Sequence, residues 1–164
     1  MPTVLSVGNG FDPLPQWVEQ GYSVVRVDID PATEPDIVGS MTALGDIGPY
    51  DVVYCSHALE HVYPHEVPIA LGEFRRVLRA GGVAIVLVPD LEGVPATDDR
   101  LPNGLTGLHL YYGDAALIPE HPHMAHHCGF VADTLRAAMT AAGFETRTER
   151  MSNYNLMGIG VKVA

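Results

Sequence analysis

A glycine turn and an acidic residue, twenty positions apart, are the features of this sequence that most directly suggest chemistry. The apolar residues 4–7 lead into Gly8-Asn9-Gly10, and Asp28 follows Gly8 by twenty residues, within a second apolar run. A buried strand that ends in Gly-x-Gly makes a tight turn that a ligand can approach closely, and an acid at this spacing accepts hydrogen bonds from ribose hydroxyls. The pattern predicts a binding site for a nucleoside.

The residues after Gly10 narrow the choice of nucleoside. A dinucleotide site needs a third glycine and free backbone amides that face the pyrophosphate. Here Pro13 occupies the third glycine position and has no N–H, while the carboxylate of Asp12 would repel two phosphates. A phosphate-free nucleoside such as S-adenosylmethionine avoids both conflicts, so the pattern opposes a nicotinamide dehydrogenase.

Composition and charge restrict the partners. With 164 residues, of which 47% are hydrophobic, we expect one domain over residues 1–164. Nine basic and 20 acidic residues give a net charge of −11, which opposes nucleic-acid binding because that depends on Lys and Arg to neutralise phosphates. Cys55 and Cys128 make no disulfide framework, and no apolar run approaches the ~20 residues that cross a bilayer. We expect a cytoplasmic protein with no membrane partner.

Short apolar runs alternate with helical patterns, which is typical of a mainly parallel sheet with helices on both faces. Two clear helices are predicted at residues 67–80 and 131–142, ending at Gly81-Gly82 and at Gly143, and a short one at residues 13–20. The last two runs lack a helix between them and predict a hairpin. The predicted strands are residues 3–7, 23–29, 51–55, 83–88, 145–151 and 156–163.

This order of segments resembles the class I S-adenosylmethionine-dependent methyltransferases, especially the branch that acts on small molecules. Beyond the first two strands, the resemblance rests on YDVVYCSHALEH at residues 50–61, EFRRVLRAGG at 73–82 and VPD at 88–90, so it covers about the first ninety residues. It implies a Rossmann-like α/β fold, with a mainly parallel seven-stranded sheet, a C-terminal antiparallel hairpin and helices on both faces.

The resemblance also implies which residues hold the cofactor, S-adenosylmethionine, and its product, S-adenosylhomocysteine. The glycine turn would approach the methionine moiety, Asp28 would bind the ribose, and the residues near the adenine would include Ile29. The implied cofactor-binding residues are Gly8, Asn9, Gly10, Asp28, Ile29, Ser40, Met41, Ser56 and His57.

Two positions depart from the family pattern. Ser6 and Ser40 stand where acids are common, and we expect each loss to weaken cofactor binding by ~1–3 kcal/mol. The sequence also begins at its first strand, where relatives usually carry helices that cover the cofactor. The resemblance therefore leaves two alternatives: an open site, or one covered by the loop-rich, histidine-rich insertion at residues 91–130, by a second copy in a homo-oligomer or by a partner subunit.

Methyl transfer depends on alignment and on the exclusion of water, so no motif identifies a catalytic residue. If the acceptor is a hydroxyl, a histidine could take its proton. The candidates are His57, His126 and His127.

Two groups of histidines also raise the question of a metal. The spacing of His57 and His61 can bind an ion, but we favour a structural role for them and a capping or solvated role for Glu60. A second group lacks Cys-x-x-Cys spacing, and we interpret it as a loop or substrate wall rather than a metal site. It comprises His121, His123, His126, His127 and Cys128, with His109, Tyr111 and Tyr112 upstream.

The sequence thus predicts a methyltransferase that uses S-adenosylmethionine and a small-molecule or metabolite-like acceptor. The alternative from another class is a catalytically degenerate methyltransferase-like binding module that serves as a partner subunit. A metal protein built on the histidine-rich loop is a third hypothesis.

Overall fold

The computed structural model describes residues 1–10 and 12–163, and the strands within them form one sheet. The strands are β1 (Thr3–Val7), β2 (Ser23–Asp28), β3 (Ile37–Val38), β4 (Tyr50–Ser56), β5 (Leu78–Pro89), β6 (Phe144–Met151) and β7 (Asn155–Lys162). Their order is β3-β2-β1-β4-β5-β7-β6, and all pairs are parallel except those of β7, which runs antiparallel to β5 and β6. The predicted fold class, with its C-terminal hairpin, is confirmed.

Helices cover both faces of the sheet. They are α1 (Gln16–Gly21), α2 (Val67–Val77), α3 (Gly107–Tyr112) and α4 (Ala132–Ala141), with single 3-10 turns at Pro31–Thr33, Leu59–His61 and Pro122–Met124. On one face, α2 and α4 form the larger core around Phe74 and Leu135. On the other, α1 packs Val18 against alternate residues of β1 and β4. None of the described helices has the length and apolar character needed to cross a bilayer.

The predicted elements agree with the observed ones except in three places. The helix predicted to end at Gly81-Gly82 stops at Val77, so that prediction is wrong, and β5 begins at Leu78. Leu78 is buried and extended, pairs with Tyr50 and accepts a hydrogen bond from Lys162 Nζ at 2.6 Å. These tertiary contacts override local helix preference. The two-residue strand β3 and the six-residue helix α3 are too short for a periodic pattern.

The turn after β1 packs closely against the turn after β4. Gly8 donates its N–H to Val27 O at 2.8 Å and has φ +67°. A Cβ at this position would lie 2.6 Å from Ala58 Cβ. Only glycine fits here, and its absent side chain lets the ends of β1, β2 and β4 converge at one edge of the sheet.

Replacement of Gly8 by alanine should destabilise the fold by ~2–4 kcal/mol, because the methyl group meets Ala58 and the left-handed backbone disfavours a side chain. Gly10→Ala is the matched control: Gly10 has φ +55°, but a Cβ there would meet nothing within 4 Å. We expect this control to cost only ~1–2 kcal/mol. Urea unfolding measures both values, and equal losses would contradict the Gly8–Ala58 contact.

A carboxylate at the start of β4 links three strands. Asp51 accepts hydrogen bonds from Thr3 N at 2.7 Å and from Arg79 Nε at 2.6 Å. The bond from Arg79, reinforced by those from Thr3, lowers the pKa of Asp51 from 3.8 to about 2. The ionised carboxylate therefore helps to hold β1 and the beginning of β5 against β4.

Since the pKa of Asp51 is lower in the folded chain than in the unfolded one, its ionisation favours folding above pH 3.8, and this contribution is lost as the pH falls toward 2. Asp51→Asn should melt at a lower temperature than the unsubstituted chain at neutral pH, with a difference that narrows over this acidic range. Circular dichroism melts measure the difference. If it is independent of pH, the stabilisation does not come from ionisation.

Candidate functional site

A cavity of about 410 Å³ lies at the carboxyl ends of β1, β2 and β4. Open α/β sheets bind ligands at this edge, where the connections leave on opposite faces of the sheet. In this sheet that point lies beside β1, which pairs with β2 on one side and β4 on the other. The structure brings the predicted cofactor-binding residues together around this cavity: Gly8, Asn9, Gly10, Asp28, Ile29, Ser40, Met41, Ser56 and His57.

The carboxylate of Asp28 is fixed at the wall of this first cavity. Its Oδ2 accepts a hydrogen bond from Gly10 N at 3.0 Å, and its Oδ1 accepts one from Asp30 N at 2.9 Å. Each carboxylate oxygen has a second lone pair, so both can accept another hydrogen bond. The arrangement suits two neighbouring hydroxyl groups.

The residues predicted near an adenine lie on one side of the first cavity. Ile29 lines it although 58% of the residue is exposed, and Met41 packs partly against the core. The hydroxyl of Ser40 contacts Thr42 Oγ1 at 2.8 Å. An apolar side chain exposed at the cavity mouth offers a surface for a flat, apolar group.

The charge of the first cavity is one-sided. Asp12, Asp28 and Asp30 line it, whereas Lys and Arg do not occur among its described lining residues. Like charges at close range repel strongly where water is restricted. The cavity therefore favours a cationic or neutral ligand over one that carries phosphates.

Part of the histidine-rich insertion covers the first cavity. Leu117, His121, His123 and Met124 line its outer wall. His121 Nδ1 and His123 Nε2 lie 3.9 and 3.7 Å from Asp30 Oδ2. These contacts bring the insertion close to the loop that follows β2.

A second cavity of about 440 Å³ adjoins the first. The two share Asp12, His57, His61, Leu117 and Met124 as a common wall. Most of the other residues of the second cavity are polar, and they come from the turn after β4, the end of β5, the insertion and the β6–β7 hairpin. They are Glu60, Pro89, Asn103, Leu105, His109, Leu110, Asp114, His126, Asn153 and Asn155.

His57 stands between the two cavities in a restricted conformation. Its φ of +50° is uncommon for a residue with a side chain, and its N–H donates to Leu87 O at 2.9 Å. Partial burial lowers the pKa of the imidazole, but the Glu60 carboxylate, Asp12 and Asn155 more than compensate and raise it above its ordinary value. The ring is therefore more basic than a free histidine.

Glu60 is not a solvated side chain or a helix cap, as the sequence had suggested. It is 1% exposed, and neither carboxylate oxygen has a hydrogen-bond partner among the described residues. Its main-chain carbonyl accepts from His127 N at 2.8 Å and Cys128 N at 3.2 Å, so the end of the insertion covers it. That contact spans more than sixty residues of sequence, and no local pattern predicts it.

The other two candidate bases lie in different surroundings. His126 lines the second cavity, and burial lowers its pKa despite the nearby Glu60 carboxylate. The His127 ring stacks on Tyr63 at 4.2 Å between centroids and lines neither cavity. Of these two histidines, only His126 is therefore placed to contact a ligand in one of the two cavities.

Comparison with known proteins gives the family. A protein-family sequence model described as a methyltransferase domain matches residues 2–149 of this chain. No curated protein sequence matches it significantly.

Solved structures of methyltransferases share the fold. An S-adenosylmethionine-dependent methyltransferase from Mesorhizobium loti aligns with 97% of this chain and 90% of its own, at TM-score 0.69 and 15% identity. The structure described as PigF with SAH aligns with 99% of this chain and 50% of its own, at TM-score 0.64 and 18% identity. Human N-acetylserotonin methyltransferase in complex with SAM aligns with 99% of this chain and 48% of its own, at TM-score 0.68 and 13% identity.

The present chain thus spans about half the length of PigF and of the human enzyme. At these identities the structural likeness establishes the fold, and the match of the domain model establishes the family. By its sequence over residues 2–149 and by its sheet order, this chain belongs to the methyltransferase domain family.

Proposed function

We propose that this protein is an S-adenosylmethionine-dependent methyltransferase that acts on a small polar acceptor without phosphate groups. The observation that carries the proposal is the pair of adjoining cavities that share the wall formed by His57 and His61. The first has residues that suit an adenosyl group, and the second has the size of a small-molecule site, with several polar side chains in its wall.

The residues of the first cavity fit the cofactor. The Gly8 turn leaves backbone exposed, the fixed carboxylate of Asp28 has free lone pairs for ribose hydroxyls, and Ile29 offers an apolar surface for adenine. The acidic lining suits a sulfonium cation and opposes nucleotides with phosphates. When bound, S-adenosylmethionine supplies a methyl group already activated by positive sulfur.

The second cavity is the proposed acceptor site. At about 440 Å³ it lies within the range of small-molecule pockets. Asp12 and Asp114 are acidic, and Lys and Arg do not occur among the lining residues that the structure describes. A neutral or basic acceptor therefore fits better than an acidic one.

The contribution of the protein to methyl transfer is positional. The common wall sets the separation of the two ligands, and the insertion reduces access of water to both cavities. His57 borders both cavities and has a raised pKa, so it is the leading candidate to accept a proton from a hydroxyl acceptor.

Binding of S-adenosylhomocysteine tests the first cavity. At about 100 times its dissociation constant it should stabilise the fold by ~2.7 kcal/mol, which raises the melting temperature by ~5–11 °C. Asp28→Asn removes the charge that the hydroxyls would contact and should weaken binding by ~10–100-fold, as expected for a lost charge-assisted hydrogen bond. Thermal melts and calorimetric titration measure both effects.

The matched control for Asp28 is Asp133→Asn, since Asp133 lies on α4 and lines neither cavity. It should bind S-adenosylhomocysteine as tightly as the unsubstituted chain, and ATP should shift neither protein. If millimolar S-adenosylhomocysteine leaves the melting temperature of the unsubstituted chain unchanged, the methyltransferase proposal fails and the degenerate binding module replaces it.

A further inference from the structure

We propose that Glu60, His61 and His126 bind a divalent first-row transition-metal ion on the wall of the second cavity. One carboxylate oxygen and one nitrogen from each imidazole all lie within 4.8 Å of one another. All three residues line the second cavity. The carboxylate and the two imidazoles therefore form one cluster in the wall of this cavity.

The first argument is the state of the Glu60 carboxylate. It is almost fully buried, and neither oxygen makes a hydrogen bond within the described part of the chain. The closest titratable contact is His57 Nδ1, 3.5 Å from Oε1. A buried carboxylate that lacks hydrogen bonds is costly, and one imidazole at this distance, itself 41% exposed, compensates it only in part. A divalent cation would compensate this charge.

The second argument is the orientation of the two imidazoles. His61 Nδ1 lies 3.1 Å from Ala125 O, and His126 Nδ1 lies 3.0 Å from Leu110 O. A carbonyl oxygen only accepts hydrogen bonds, so each Nδ1 donates its proton to the carbonyl, and Nε2 is the nitrogen that each ring can offer to an ion. A hydrogen bond from the second ring nitrogen to a carbonyl is the usual way in which proteins orient a histidine ligand.

The third argument is that the backbone holds these residues in place before any ion binds. Glu60 and His61 lie in the 3-10 turn after β4, whereas His126 comes from the insertion. The N–H of His126 donates to Tyr112 O at 3.1 Å, and the N–H of His127 donates to Glu60 O at 2.8 Å. The two imidazole rings meet edge to face at 4.9 Å between centroids. Fixed ligands lose little freedom on binding.

The ligand set indicates the kind of ion. Imidazole nitrogen suits Zn²⁺, Co²⁺ and Fe²⁺, and Mg²⁺ and Ca²⁺ prefer sites made of oxygen atoms. Three protein ligands leave positions open toward the second cavity. On the assumption that the proposed function is correct, the acceptor then carries an oxygen donor, and the ion lowers the pKa of its hydroxyl.

A second group of potential ligands provides an internal control. Asp30, His121 and His123 also lie within reach of a common ion. However, Asp30 already accepts a hydrogen bond from Ala32 N at 2.9 Å, and 46% of the His121 side chain is exposed. This group lacks a buried carboxylate without hydrogen bonds, which is the feature that distinguishes Glu60.

The test is Zn²⁺ binding by the full chain after dialysis against EDTA. At about 100 times its dissociation constant, Zn²⁺ should raise the melting temperature by ~5–11 °C, with one equivalent bound at this site in calorimetry and little response to Mg²⁺. Glu60→Gln and His126→Ala should each weaken this binding by about tenfold or more. The double substitution His121→Ala/His123→Ala should retain it.

Glu60→Gln adds a readout independent of the ion. Because a neutral amide costs less to bury than a carboxylate that lacks hydrogen bonds, this variant should melt no lower than the unsubstituted chain in EDTA, yet lose the stabilisation by Zn²⁺. The proposal is overturned if Zn²⁺ gives no shift, if both single variants keep the shift, or if only the His121/His123 variant loses it. S-adenosylhomocysteine should still bind the metal-free protein, so failure of the metal site and failure of the proposed function give different results.

Discussion

The close contact between Gly8 and Ala58 is the constraint on which the arrangement of the site depends. It holds the turn after β1 against the turn after β4, and these turns carry the main polar groups of the two cavities. The first turn binds the Asp28 carboxylate through Gly10 N, and the second contains Glu60 and His61, so this close approach brings residues of both cavities to one edge of the sheet.

Charge is the second property that unites the site. The chain has a net charge of −11, and several of its acids line the cavities: Asp12 borders both, with Asp28 and Asp30 in the first and Asp114 in the second. Such a field favours a sulfonium and opposes phosphate. The same field would attract a divalent cation to the Glu60 carboxylate, so cofactor selection and the proposed metal site follow from one electrostatic pattern.

The histidine-rich insertion has several structural roles rather than one. His121 and His123 approach Asp30 over the first cavity, His126 faces the second, and His127 stacks on Tyr63 outside both. Backbone hydrogen bonds to the Glu60 carbonyl hold the insertion to the turn after β4. Its position explains how one segment can limit water at both cavities and also supply a ligand to the proposed ion.

The sequence by itself determined six of the seven described strands, the α4 helix and the glycine turn with Asp28, because alternating apolar runs, glycine turns and a fixed spacing after Gly8 are local signals. The other residues predicted around the first cavity came from the resemblance to a family. The end of α2 at Val77, the burial of Glu60 and its approach to His126 were decided only by the tertiary structure. Each of these depends on partners distant in the chain, such as Lys162 for Leu78 O. Local preference carries no information about contacts that form only when the sheet and the insertion come together.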